Sequence, residues 1–182
     1  MQFNKKVLIV IDMQNDFVSG SLANPAAQAI VSLIAQKIRS FDGDVIATRD
    51  THFSDYLSTS EGKNLPVLHC VAETNGWRIV DEIANAIKEK PHRYINKTTF
   101  GNVVGFDPEN DGWNFDEYGY EEAEVVGTCT DICVVSNVLI LKALYPDLKI
   151  KVHANLCAGL TEEKHLAALE VMKSCQVEVV YD

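Results

Sequence analysis

Short apolar runs, mostly of β-branched residues, alternate with helical patterns along the whole chain, and this alternation constrains the fold more than any other feature. Six runs predict strands, at residues 7–12, 44–49, 92–96, 123–127, 150–154 and 177–181. Near-continuous apolar strands separated by amphipathic helices are typical of a parallel sheet covered on both faces. We therefore predict one α/β domain over residues 1–182, a doubly wound three-layer sandwich around a six-stranded parallel sheet.

Helices are predicted between these strands. The first begins at Asn24-Pro25, because Asn is a good N-cap and Pro fits the first helical position, and it ends before Gly43. The others are expected around residues 79–87, from Thr130 to about Leu144, and from Thr161, with Leu166, Leu169 and Met172 facing the core. The long connections at 53–78 and 101–121 are expected to carry lids or an oligomer contact.

The charge and the cysteine content exclude several classes of protein. The formal net charge is −10, and the sequence has no basic block that could follow a phosphate backbone. The apolar run at 7–11 is too short to span a bilayer. Five scattered cysteines without a C-x-x-C pair do not indicate a disulfide framework. We therefore expect a cytoplasmic protein with reduced thiols that binds neither nucleic acid nor a membrane.

Reactive side chains follow four of the predicted strands at the point where each strand ends. Asp12 closes the first strand, residues 49–52 follow the second, Lys97 follows the third and Cys133 follows the fourth. Parallel α/β sheets bind their ligands outside the carboxyl ends of the strands. We therefore expect all of these side chains at one edge of the sheet.

Three of these residues together have the chemistry of a nucleophilic hydrolase. If Thr130 caps the following helix, the Cys133 thiol lies in the first turn, where the helix dipole favours an anion. The ammonium of Lys97 would lower the pKa of this thiol, and Asp12 can take the thiol proton and return it to a leaving amine. The backbone N–H groups of Cys129 and Cys133 are candidates for the oxyanion hole.

A second group of residues has the chemistry of a metal site. Asp50 and His52 form an Asp-x-His pair after the second strand, and His69 follows in the same long connection. One carboxylate and two imidazoles suit Zn²⁺, Fe²⁺ or Mn²⁺ and leave positions for water or a substrate nitrogen. Glu61, between the two histidines, is a candidate fourth ligand.

Each of these residues, taken alone, also has an ordinary structural explanation. A cysteine after a strand is commonly a small buried core residue, and a single lysine such as Lys97 is commonly a solvated surface charge. His52 and His69 could each be a hydrogen-bonded histidine, and Glu61 could face solvent. Convergence on one sheet edge favours the functional interpretation, because several independent coincidences would otherwise be needed.

Six motifs occur in the order found in a known family. They are VIDMQNDF at 10–17, TRDTH at 48–52, LHCV at 68–71, the lysine of NKTTF at 96–100, GTCTDICV at 127–134 and CAGLTEEKHLAALEVMKS at 157–174. Together they resemble the nicotinamidase and isochorismatase-like cysteine hydrolases over nearly the whole chain. The pairing of DMQNDF with GxxTDxCV is the most specific part, whereas the lysine is identified mainly by its position.

The resemblance implies a Rossmann-like, isochorismatase-like fold and a role for individual residues. It implies a catalytic triad and a non-proline cis peptide whose N–H points into the oxyanion hole, and in the nicotinamidase branch a divalent metal, Zn²⁺ first, with Fe²⁺ or Mn²⁺ as alternatives. The implied triad is Asp12, Lys97 and Cys133, the cis peptide is Thr128–Cys129, and the implied metal ligands are Asp50, His52 and His69, with Glu61 in some members. A homo-oligomer is also implied.

The predicted substrate pocket differs from that of the nicotinamidase branch. Thr51 stands where an aromatic residue is common, so the ring wall would come from Phe17, Trp77 or Phe100. The first prediction is a cysteine amidohydrolase that converts a small-molecule amide, nicotinamide, to nicotinate and ammonia. Two alternatives stay open: hydrolysis of another small amide, carbamoyl compound or vinyl ether, and a non-catalytic thiol sensor that uses Cys129 and Cys133.

Overall fold

The structure, a computed structural model, describes residues 6–107 and 114–181. Its strands are β1 (Lys6–Ile11), β2 (Asp44–Asp50), β3 (His92–Lys97), β4 (Glu122–Thr128), β5 (Lys149–Ala158) and β6 (Glu178–Val180). They form one sheet with the order β3-β2-β1-β4-β5-β6, and all the pairings within it are parallel. This is the order of a doubly wound sheet. The chain adds β2 and β3 on one side of β1, then returns and adds β4, β5 and β6 on the other side.

Helices connect the strands and cover the sheet. They are α1 (Asn15–Val18), α2 (Pro25–Ser40), α3 (Ser60–Asn64), α4 (Asp81–Lys88), α5 (Val103–Phe106), α6 (Phe115–Tyr118), α7 (Val135–Leu144) and α8 (Glu162–Ser174). A 3-10 turn at Tyr56–Ser58 and a π-helical turn at Thr130–Val134 complete the described elements. The predicted connection at 101–121 lies in part outside the described residues.

Two apolar layers lie on opposite faces of the sheet. On β1, Ile9 and Ile11 point into one layer, and Leu8 and Val10 point into the other, as the two-residue period of a strand requires. The first layer is closed by apolar residues of α7 and α8, and the second by those of α2 and α4. The predicted three-layer α/β fold is therefore confirmed.

Two details of the predicted helices are wrong. Leu166 is 45% exposed, because the buried face of α8 is centred on Ala168, Leu169 and Met172 and Leu166 lies roughly 100° away round the helix. The helix after β4 begins with a π-helical turn that Cys129 precedes, so Thr130 is its first residue rather than its N-cap. π-helical turns occur frequently at functional sites.

Candidate active site and metal centre

Four adjacent strands each bring one reactive side chain to the carboxyl edge of the sheet. In spatial order they are Lys97 on β3, Asp50 on β2, Asp12 directly after β1 and Cys133 in the turn after β4. All four are buried. The predicted convergence is thus present, and it lies at the reversal point of the sheet, where doubly wound folds bind ligands.

The Lys97 ammonium is the centre of this group. Lys97 Nζ lies 2.7 Å from Asp12 Oδ2, 3.3 Å from Asp50 Oδ1 and 3.6 Å from Cys133 Sγ. Burial acts against its charge, but the interactions with Asp12, Cys133 and Asp50 outweigh burial and raise the pKa of Lys97 above its ordinary value. Lys97 is therefore a buried cation that can hold a carboxylate and a thiol in contact.

The Cys133 thiol does not have the lowered pKa that its helix position predicts. Burial raises its pKa well above the ordinary value, Asp12 adds to this effect, and Lys97 offsets only part of it. Burial, with Asp50 as a second cause, also raises the pKa of Asp12, while Lys97 acts in the opposite direction. These directions oppose the lowered pKa predicted for Cys133, and the predicted role of Asp12 as acceptor of the thiol proton stays a prediction.

Thr48 fixes the orientation of Asp12, a role that the sequence did not reveal. Thr48 Oγ1 donates to Asp12 Oδ1 at 2.6 Å and accepts from the Asp12 backbone N–H at 3.2 Å. Asp12 itself has φ 48°, in the left-handed region that non-glycine residues rarely occupy and that is found at functional sites. The free carboxylate oxygen is thereby directed at Lys97. Thr48 lies in the TRDTH motif, which was the available signal.

The nucleophile turn is held by several local hydrogen bonds. The peptide bond between Thr128 and Cys129 is cis. The Cys129 carbonyl accepts from the N–H groups of Ile132 and Val134, at 3.1 and 3.0 Å. Thr130 Oγ1 lies 2.8 Å from His165 Nδ1, so α8 is tied to the turn that carries Cys133. These contacts give the turn a defined shape around the sulfur.

The four predicted metal ligands form one cluster. Their candidate ligand atoms, one each from Asp50, His52, Glu61 and His69, all lie within 4.8 Å of one another. His52 Nε2 is 3.0 Å from Asp50 Oδ2 and 3.5 Å from Glu61 Oε1, and His69 Nε2 is 3.6 and 3.8 Å from the same two atoms. Two imidazoles and two carboxylates around one point fit a divalent transition metal.

Contacts outside the cluster support this fit. His69 Nδ1 lies 2.8 Å from the Val67 carbonyl, so Nδ1 carries the proton and Nε2 is available as a ligand. Burial acts against ionisation of Asp50, but the imidazole of His52, 3.0 Å from Asp50 Oδ2, the nearby imidazole of His69 and the charge of Lys97 hold the pKa of Asp50 below its ordinary value. Asp50 is therefore an anion shared between the triad and the metal cluster.

Gln14 holds Asp50 in place, and the sequence did not reveal this either. Its Oε1 accepts from the Asp50 N–H at 2.7 Å, and its Nε2 donates to the Asp50 carbonyl and the Trp77 carbonyl, both at 2.8 Å. The Gln14 side chain is fully buried. It pairs with both backbone groups of Asp50, as a neighbouring strand would. The only sequence signal was its place in the DMQNDF motif.

A cavity of about 820 Å³ opens beside the metal cluster. Its lining includes Thr51, His52, Tyr56, Glu61, Phe100 and Ile132. Of the residues predicted for the substrate pocket, Thr51 and Phe100 belong to this lining and Phe17 and Trp77 do not, and the predicted pocket stays a prediction. Phe17 packs against His69 instead, with ring centroids 5.6 Å apart, and the Trp77 indole N–H donates to Thr51 Oγ1 at 2.8 Å.

A search of the described residues for membrane-spanning helices found no helix with the necessary length and apolar content.

Comparison with known proteins identifies the family. The Isochorismatase domain profile matches residues 6–181. The chain belongs to this family. It is 29% identical over 168 residues to the nicotinamidase of Saccharomyces cerevisiae, covering 71% of this chain and 77% of that protein. It is also 29% identical over 185 residues to the nicotinamidase/pyrazinamidase of Mycobacterium tuberculosis, covering 96% of this chain and 98% of that protein.

The solved structures agree with this assignment. The pyrazinamidase of Pyrococcus horikoshii, whose crystal structure is a complex with zinc, superposes with a TM-score of 0.80 at 26% identity. The match covers 98% of this chain and 100% of that one. The resemblance to the nicotinamidase branch, inferred from the motifs, is therefore confirmed.

Proposed function

We propose that the protein is a metal-dependent cysteine amidohydrolase that converts nicotinamide to nicotinate and ammonia. The observation that carries this proposal is the Lys97 ammonium, buried in contact with Asp12, Asp50 and Cys133 and directly beside a four-residue metal cluster. A structural lysine or a thiol sensor needs neither the carboxylate pair nor the cluster. The relatives named nicotinamidase support the choice of substrate.

The reaction needs only a short movement of one proton in its first step. The Cys133 thiol gives its proton to Asp12, and the sulfur attacks the amide carbonyl carbon to form a tetrahedral oxyanion. The backbone N–H groups of Cys129 and Cys133 stabilise the charge on oxygen. Lys97 stabilises the thiolate while it is present and keeps Asp12 aligned.

The second half of the reaction returns the proton and releases the acid. Asp12 donates its proton to the departing nitrogen, the C–N bond breaks, and ammonia leaves a thioester on Cys133. Asp12 then takes a proton from water, and the resulting hydroxide attacks the thioester carbonyl. The C–S bond breaks, Asp12 returns the proton to the sulfur, and the acid leaves and gives its own proton to solvent to become the carboxylate.

The metal cluster would orient the substrate. Asp50, His52, Glu61 and His69 would hold the ion, and Zn²⁺ suits their donor set best, with Fe²⁺ and Mn²⁺ as alternatives. A bound divalent ion supplies a Lewis acid that can hold the pyridine nitrogen of the substrate. Phe100 and Ile132, which line the adjoining cavity, would contact the ring. We also propose assembly into a homo-oligomer, which light scattering would test.

The proposal is tested by ammonia release from chelated protein with and without Zn²⁺, Fe²⁺ or Mn²⁺. Nicotinamide and benzamide form a matched pair, because benzamide has the same amide and ring size but lacks the ring nitrogen. We expect release from nicotinamide that depends on the metal and is much slower from benzamide. A protein that releases no ammonia from nicotinamide with any of the three metals would contradict the proposal.

A second candidate substrate class follows from the cavity itself. Besides Thr51, the polar residues Thr59, Ser60 and Asn64 line it, so the cavity could take a more polar amide or a carbamoyl compound. The same assay with an N-carbamoyl amino acid in place of nicotinamide separates the two classes.

A further inference from the structure

We infer that Asn137 is a positioning residue that fixes one wall of the substrate cavity relative to the nucleophile. Asn137 lies in α7, one turn after Cys133, and is fully buried. The wall in question is the Phe100 loop, residues 98–102, which leaves β3 directly after Lys97. The functional consequence rests on the proposed function.

The side-chain amide of Asn137 connects the Phe100 loop to the residue that carries the nucleophile, and it uses both its N–H groups and its oxygen to do so. Its Nδ2 donates to the Cys133 carbonyl at 2.7 Å and to the Phe100 carbonyl at 3.1 Å. Its Oδ1 accepts from the Asn102 N–H at 2.9 Å. Both amide hydrogens and the carbonyl oxygen are therefore used. One rigid planar group thus links the residue that carries the sulfur to both ends of the segment from Phe100 to Asn102.

The loop lies close against α7 at this point. A Cβ on Gly101 would lie 2.4 Å from Ile140 Cδ1 and 3.2 Å from Ser136 Cβ, so the backbone there approaches the helix at a distance that only glycine allows without adjustment. Thr99 Oγ1 donates to the Gly101 carbonyl at 2.6 Å, which gives the loop a tight internal turn. The hydrogen bonds to Asn137 therefore act on a compact segment and fix it as a unit.

Phe100 should depend on these backbone contacts, because a half-exposed side chain is less restrained by packing than a buried one. The residue is 48% exposed, although it lines the substrate cavity. Thr98 and Thr99 line the same cavity. A half-exposed ring takes its position from its backbone, so the Asn137 amide decides where this wall stands relative to Cys133. Loss of the bridge would weaken substrate binding more than it changes the chemical step.

Serine at position 137 separates the two functions of the asparagine. A serine hydroxyl in a helix can donate to the carbonyl four residues earlier, here that of Cys133, but it is too short to reach Phe100 and Asn102 as well. We expect Asn137→Ser to raise KM for nicotinamide roughly tenfold while kcat changes by less than about threefold. Asn137→Thr gives the same result if the serine variant folds poorly, because its methyl group fills more of the space. Asn24→Ser, in the cap of α2, is the matched control.

Two further measurements distinguish positioning from general destabilisation. If Asn137 acts through Phe100, Asn137→Ser should add little to the KM of Phe100→Ala in a double-mutant cycle, whereas independent effects would multiply. Hydrogen exchange of residues 98–102 should be at least about tenfold faster in Asn137→Ser, with exchange in β1 and β4 unchanged. Multiplying KM effects, or unchanged exchange in the loop, would overturn the inference.

The outcome for the proposed function is separate. A wild-type protein that releases no ammonia from nicotinamide would contradict the proposed function, and the exchange comparison alone would then decide whether Asn137 holds the loop. If the wild-type protein is active and KM is unchanged in both Asn137→Ser and Asn137→Thr, the proposed function stays in place and Asn137 has no role in it.

Discussion

The proposed triad and the proposed metal cluster are in contact, through Lys97 and Asp50, but they are built in different ways. The triad residues stand at the ends of β3, β1 and β4, so the sheet itself sets their separation. The metal cluster takes only Asp50 from the sheet, and its other ligands come from the long connection between β2 and α4. In the proposed function, the nucleophilic chemistry would therefore depend on the core, whereas metal binding would depend on how a loop is held.

The residues of the proposed triad are also more deeply buried than the outermost residue of the metal cluster. The side chains of Lys97 and Asp12 are completely buried, whereas the Glu61 side chain is 23% exposed at the rim of the cavity. Substitutions should consequently have their largest effects in the triad, intermediate effects at Asp50 and the residue that holds it, and the smallest effects at Glu61. The variants below test this order.

Cys133→Ala should have the largest effect on turnover. Without the sulfur no thioester can form, and we expect kcat to fall at least about a thousandfold. Zinc binding and the thermal midpoint should change little, because the metal ligands are intact and only one small buried atom is lost. Ammonia release, zinc titration and calorimetry check these three expectations.

Cys175→Ala is the control for Cys133→Ala, since Cys175 is an exposed cysteine directly after α8 and is not one of the candidate site residues. Near-normal turnover in Cys133→Ala would show that the sulfur is not the nucleophile.

Asp50→Asn should be the one substitution that damages both groups. It keeps the size of the side chain but removes the charge that Lys97 contacts at 3.3 Å and the oxygen that His52 contacts at 3.0 Å. We expect zinc affinity to fall on the order of a hundredfold and kcat with saturating zinc to fall at least about tenfold. Competition with a chromophoric chelator gives the affinity. If saturating zinc restored full kcat, the triad would not depend on Asp50.

The part of the site that the sequence predicted is the part that the sheet builds. Strand patterns placed Asp12, Lys97 and Cys133 at strand ends, and a parallel sheet necessarily brings such ends to one edge. What the pattern could not show is the direction of each hydrogen bond. Thr48 and Gln14 act through specific lone pairs and N–H groups, and nothing in their spacing distinguishes them from other polar residues near a strand.

The sequence did not reveal the pKa direction of the Cys133 thiol or the lining of the cavity, for a related reason. A lowered pKa for Cys133 was inferred from its helix position, but burial outweighs that effect, and the depth of burial depends on the packing of the whole edge. Most of the cavity lining belongs to the connection between β2 and α4, whose path is set by scattered contacts. Asp16 Oδ2, for example, accepts from the Cys70 N–H at 2.8 Å, and Trp77 is turned toward Thr51.

Gln14→Glu should weaken metal binding although it replaces none of the four proposed metal ligands. The glutamate has the same shape but lacks the Nε2 donor that serves the Asp50 and Trp77 carbonyls. Residues that orient metal ligands typically change metal affinity by about 10- to 100-fold, and we expect a weakening of zinc binding in this range. Gln28→Glu is the matched control, because Gln28 Nε2 donates to the Val18 carbonyl away from the site. Equal zinc affinities in the two variants would mean that Gln14 only stabilises the fold.

Glu61→Gln should have the smallest effect, because Glu61 is the most exposed ligand and the amide oxygen can still coordinate weakly. With zinc at about one hundred times the wild-type Kd, bound metal stabilises the folded state by about 2.7 kcal/mol, which corresponds to a rise in Tm of roughly 5–10 °C for a chain of this length. We expect Glu61→Gln to retain more than half of this rise and Asp50→Asn to lose nearly all of it. Calorimetry of the three proteins with and without zinc measures the difference. If Glu61→Gln lost the whole rise in Tm, Glu61 at the rim of the cavity would contribute as much to metal binding as Asp50 at the end of β2. The expected difference between the ligand from the sheet and the ligand from the loop would then be wrong.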